Sequence, residues 1–184
     1  MQHSGPGDRR VAAAFEQQVA ERLVASGHPA YGLGDTWTGP RMLGDVHLVG
    51  EDIDSAGLAH GDVAGDHGPL IHIHTTRVRS NDLDRVFAGR CELVPGVSDG
   101  EPVPAFVSQD VQLRVDGETR DCAGFVVDEG WLVRVDADTG VTIYVEARRL
   151  DLPQFASEQA IVAVDDLTPY IEGRQAFLDG LNGG

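Results

Sequence analysis

The chain has 184 residues, enough for one domain with a substantial core, and 41% hydrophobic with 24% charged residues is globular composition, which argues against disorder. Thirty acidic residues against 14 basic ones give a formal charge of -16, which repels phosphate backbones and makes nucleic acid a poor partner. All 14 basic residues are arginine. That excludes mechanisms built on a lysine: P-loop phosphate binding, kinase-type phosphoryl transfer, Schiff-base formation and Ser-Lys dyads.

No apolar run reaches the roughly eighteen residues of a membrane span, so no membrane association is expected. Residues 1–7 read as a flexible tail without an apolar signal core, and a cytoplasmic location is expected. Cys91 and Cys122 lack CxxC spacing and read as buried free thiols.

Along the chain, residues 8–26 predict a helix, with Asp8 at its start, Val11, Ala14, Phe15, Val19 and Leu23 on one stripe, and Gly27 as the stop. A strand is expected over residues 46–49. Residues 50–69 carry five carboxylates, two histidines and several glycines, and read as an acidic loop. Residues 70–76 (LIHIHTT) alternate as a strand, and Ser80-Asn81 cap a short helix bearing Leu83, Val86 and Phe87. Three of the nine prolines fall in residues 94–106, which read as a Pro/Gly loop within one domain spanning 1–184.

Residues 111–148 predict a four-stranded antiparallel meander, with polar breaks at Gly117-Glu118-Thr119, Asp128-Glu129-Gly130 and Asp138-Thr139-Gly140. Three-residue breaks would place the odd-numbered residues, from Val111 through Phe125 to Val145, on one core face. A strand over residues 160–164 and a last helix with Thr168 as cap and Pro169 at its first position complete the chain. The expected class is α+β: a mainly antiparallel sheet packed against N- and C-terminal helices.

Two patches bear on chemistry. His72 and His74, two apart on a strand, point the same way, and with His67 they could grip a divalent metal; the alternative is a pair of half-exposed histidines behind Ile71 and Ile73. On the even face of the meander, the three-residue breaks place Arg114 opposite Cys122 and Arg134 opposite Gly124, with Tyr144 nearby. Two guanidinium groups over a bare glycine would seat a carboxylate or phosphate; the alternative is a wet sheet face with cross-strand ion pairs. Asp136-Ala137-Asp138-Thr139 fails as a phosphatase signature because its threonine is one place early, and Asp52–Gly57 lacks the glutamate of a calcium loop. No hydrolase motif or family signature is present. The sequence therefore favours a non-catalytic interaction or regulatory domain with no cofactor, engaging a protein or small anionic ligand. The alternatives are a metal-dependent enzyme on the histidine cluster and a small-anion binding module.

Overall fold

The computed structural model describes residues 17–49, 52–61, 69–77, 107–127 and 130–182. Helix α1 occupies residues 17–26 and ends at Gly27, whose φ of 60° takes the left-handed conformation of a helix stop. Then follow β1 (Tyr31–Leu33), β2 (Arg41–Val49), β3 (Asp52–Gly61), β4 (Leu70–Thr76), β5 (Val107–Val115), β6 (Glu118–Val127), β7 (Gly130–Asp136) and β8 (Thr142–Arg148). Helix α2 (Leu152–Glu158), β9 (Ala160–Ala163) and helix α3 (Thr168–Asn182) complete the described chain. The fold is α+β with an antiparallel sheet. Among the described residues no helix is long and apolar enough to cross a membrane.

The strands form one sheet in the order β1-β9-β5-β6-β7-β8-β4-β3-β2, antiparallel at every pairing except β5 with β9. Consecutive strands β1 and β2 thus lie at opposite edges. A flat sheet of this width would separate them by roughly 38 Å at the usual strand spacing. The chain from Leu33 to Arg41 can span at most about 28 Å. The sheet must therefore curl, and it brings β1 against β3 and β4, where Thr75 Oγ1 accepts from Tyr31 N at 3.1 Å.

The concave face is the core. Ile71, Ile73, Leu113, Val115, Val133 and Val145 line its central part, closed by α2, whose Phe155 ring lies 4.7 Å from that of Trp131. The terminal helices cover the β2–β3 end instead, with Ala20 and Leu23 of α1 and Tyr170 of α3 packed on Leu43, Ala56 and Leu58. Asp151 caps α2 by accepting from Gln154 N at 3.1 Å, with Pro153 in the first turn.

Three expectations are corrected. Residues 52–61 are not loop but strand β3, buried on both faces from Ser55 onward. Ala56, Leu58 and His60 point into the core opposite Thr75, Ile73 and Ile71. The small residues Ser55, Gly57 and Ala59 lie on the other face opposite Thr76, His74 and His72, so the glycines mark close packing and not a turn.

The second correction is register. The β5–β6 turn is the two-residue Asp116-Gly117, both at positive φ (50° and 84°), the geometry a tight hairpin turn requires. Val115 therefore faces Glu118, and Val127 faces Gly130 at the next turn, so β6 is inverted relative to its neighbours. Its even residues Cys122 and Gly124 face inward, while β5, β7 and β8 keep their odd residues in the core.

Third, α3 starts at Thr168 itself, one residue before the expected first position at Pro169. Leu167 O already accepts from Ile171 N, and Asp166 Oδ1 accepts from Thr168 N at 2.9 Å. The short helix near Ser80, the 94–106 loop and the 1–7 tail lie outside the described residues.

Candidate functional site

The chemistry-bearing side chains gather at two places, the first being the seam that closes the curl. Strand β1 bonds β9 through alternate residues, with Val164 N donating to Ala30 O and Gly34 N to Ala160 O, both at 2.9 Å. The N–H groups of Tyr31 and Leu33 therefore point away from β9. Leu33 N donates to His60 Nε2 at 3.1 Å. A backbone N–H can only donate, so Nε2 accepts and the neutral ring carries its proton on Nδ1.

His60 is fully buried, Tyr170 Oη lies 3.0 Å from the same Nε2, and Nδ1 has no hydrogen-bond partner among the described residues. Burial, and then the neighbouring Arg41 charge, push the imidazole pKa down to about 3. Burial also raises the Tyr170 hydroxyl. Arg41 Nη1 reaches that hydroxyl at 3.4 Å, while Nη2 donates to Gly34 O at 3.1 Å and Trp37 O at 3.0 Å, holding the connection between the sheet edges. Gly32 makes room, since a Cβ there would run into the Tyr170 hydroxyl. The imidazole thus serves as a missing strand partner.

The second place is a cleft in the sheet. Pairing of β6 with β7 ends at Ala123↔Arg134, although β6 runs back to Glu118 and β7 on to Asp136. An open cleft of about 520 Å³ lies there, lined by Arg120, Asp121, Cys122, Arg134, Val135 and Asp136. Arg120 bonds Glu118 at 2.9 Å and also Asp138, and Gln112 Nε2 donates to Asp121 Oδ1 at 2.8 Å. Cys122 is only 7% exposed, its thiol donates to Arg120 O at 3.4 Å, and burial raises its pKa away from the reactive thiolate.

The residues singled out from sequence distribute differently. His72 and His74 do point to one side of β4, with stacked rings 6.0 Å apart between centroids, flanked by Ala59 and Gly57 on β3 and by Glu146 and Tyr144 on β8. His67 lies outside the described residues, among which no group of three His, Cys, Asp or Glu is placed to hold a metal. Arg114 pairs with Thr119, not Cys122, and its Nη2 reaches Ser157 O at 3.5 Å.

Arg134 pairs with Ala123 and Tyr144, 3.9 Å from Asp136. Tyr144 is 5% exposed on the convex face. Gly124 pairs with Val133 on the concave face, where a Cβ would sit 3.0 Å from Leu152 Cδ2. Arg114 and Arg134 therefore do not converge over Gly124, because the Asp116-Gly117 turn inverts the strand between them.

Sequence reasoning missed His60, Arg41 and Tyr170 as a unit. His60 lay in a segment read as loop, and no spacing links residues from β3, β2 and α3. No protein-family model matches the chain, and no curated protein or solved structure matches it either.

Proposed function

We propose that this chain is a non-catalytic interaction domain that binds a partner through the convex face of its meander. The observation that carries the reading is the employment of His60, whose acceptor nitrogen is occupied by the Leu33 N–H in a solvent-free seam. A general base needs that lone pair, access to substrate and a pKa near the working pH. The same holds for Cys122, buried and shifted away from its thiolate. Among the described residues, His60, Arg41 and Tyr170 are engaged in closing the sheet, while the β6–β7 cleft opens to solvent.

The test is to cross-link the purified chain to its partner in an extract of its source cells, purify that partner, and titrate the two. The reading requires saturable binding that leaves the partner chemically unchanged, and a folded His60→Gln variant that binds equally well. A partner released in altered form, or a folded His60→Gln variant that no longer binds, would overturn it.

A further inference from the structure

Where the curled sheet meets itself, β1 shares no backbone ladder with β3 or β4, and its strand partner is β9. Hydrogen bonds through side chains take the ladder's place. His60 Nε2 accepts from Leu33 N, Thr75 Oγ1 accepts from Tyr31 N, and His28 Nε2 lies 3.2 Å from Thr75 O. A carbonyl can only accept, so His28 carries its proton on Nε2. Two buried, neutral imidazoles thus hold the closure, one as acceptor and one as donor. The flank that they hold is lightly attached elsewhere. Strand β9 joins β5 only at Arg114↔Ala160 and Val115↔Ile161, whereas β7 and β8 pair along their whole length.

A proton reverses the role of His60. Nε2 becomes a donor, and it faces the Leu33 N–H, also a donor, at 3.1 Å. Tyr170 Oη, 3.0 Å away, can accept the new N–H, so the charged ring keeps a partner and Leu33 loses its own. The groups packed on the ring oppose the charge. Arg41 from β2 and His72 from β4 disfavour it, Trp37 and Tyr170 present uncharged rings, and among the described residues no carboxylate favours it. At His28, Arg77 disfavours the charge and Asp54 favours it, with burial the larger effect. Each imidazole therefore resists a proton while the seam is closed and accepts one readily once it is open.

We propose that the seam is an acid-sensitive latch: on protonation of His60 the curl opens between β1 and the β3–β4 pair, while the antiparallel ladders from β5 to β8 stay formed. Opening breaks the side-chain bonds of the closure and no ladder. It exposes Tyr31 and Leu33, both fully buried in the closed form. By linkage, the open population grows toward about tenfold for each pH unit below 6.5. The device is independent of the partner that the convex face takes.

The experiment is native-state amide exchange of the whole chain between pH 7 and 5, at a series of urea concentrations below the unfolding transition. The Tyr31 and Leu33 amides should exchange through an opening that depends weakly on urea. Val133 and Ile143, each between two paired strands, should show the steep dependence of global unfolding. From pH 6.5 to 5 the protection factor of Leu33 should fall by more than about tenfold. His60→Gln keeps an acceptor for Leu33 and has no proton to gain, so it should reduce that fall at least about fivefold.

A Leu33 amide with the urea dependence of Val133 at pH 5, a protection factor that does not fall with pH, or an unchanged fall in His60→Gln would overturn the latch. If that variant does not fold, the urea and pH dependences of the wild type decide. The partner titration of the preceding section, run at neutral pH where the latch is closed, stands or falls by its own result.

Discussion

Lowering the pH from 6.5 to about 5 should cost the folded protein roughly 2 kcal/mol through His60 alone. In the seam this imidazole titrates at about 3, against 6.5 for an unperturbed histidine. Above 6.5 neither folded nor unfolded chain holds the extra proton, so stability is unaffected by this group. Below it, the unfolded chain takes up a proton that the folded chain refuses. Stability then falls by about 1.36 kcal/mol per pH unit until the folded group itself titrates. His28, whose pKa burial also lowers, acts in the same direction. Most carboxylates stay ionised above about pH 5, so this window isolates the histidines.

Urea unfolding across the window, in wild type and His60→Gln, is the assay. The glutamine keeps an acceptor for the Leu33 N–H and has no proton to gain, so its pH slope should be shallower by about 1 kcal/mol per unit. Parallel slopes in the two proteins, or a His60 ring resonance that titrates near 6.5, would refute the account of the seam. Ring nitrogen shifts should also report the proton on Nδ1.

Four further outcomes follow from the packing. Phe155→Ala should cost about 3–5 kcal/mol in urea unfolding and change Trp131 fluorescence, since Phe155 is 1% exposed against that indole. Gly124→Val should destabilise by about 1–3 kcal/mol, because its side chain enters the core against Leu152; a neutral result in thermal denaturation would mean that β6 is not inverted. Asp116→Ala should cost about 2 kcal/mol, losing acceptors for Tyr31 Oη and Ala163 N, each at 2.9 Å, and a drop below a few tenths in urea unfolding would contradict this. Asp136→Ala should cost about 1 kcal/mol, losing the acceptor for Thr142 Oγ1 at 2.8 Å, and an unchanged midpoint in urea unfolding would contradict this.

Local patterns in the sequence suffice for much of this protein. The alternation in LIHIHTT marks β4 at its observed bounds, Gly27 marks the end of α1, and the runs between residues 111 and 148 mark four antiparallel strands and hence the α+β class. These features depend on side-chain period and on single-residue backbone preference, which neighbours along the chain reveal. The face presented by β6 was also within reach, because Asp116-Gly117 is a two-residue turn signal, and reading it as a three-residue break inverted one strand and created the apparent arginine seat.

The tertiary structure alone decided the rest. Strand β3 is glycine-rich and carboxylate-flanked, and only its packing between β2 and β4 explains why small residues are needed there. Helix α2 is too short to show a period, and Asp151-Leu152-Pro153 gains meaning only once Leu152 and Phe155 cover the core. The seam unites His60, Arg41 and Tyr170 across separations that no spacing encodes, because the curl of the sheet brings its first strand against its third and fourth. The parting of β6 and β7 beyond Ala123↔Arg134 likewise follows no local pattern, because strand pairing depends on turn length and on the curl of the whole sheet as much as on residue type.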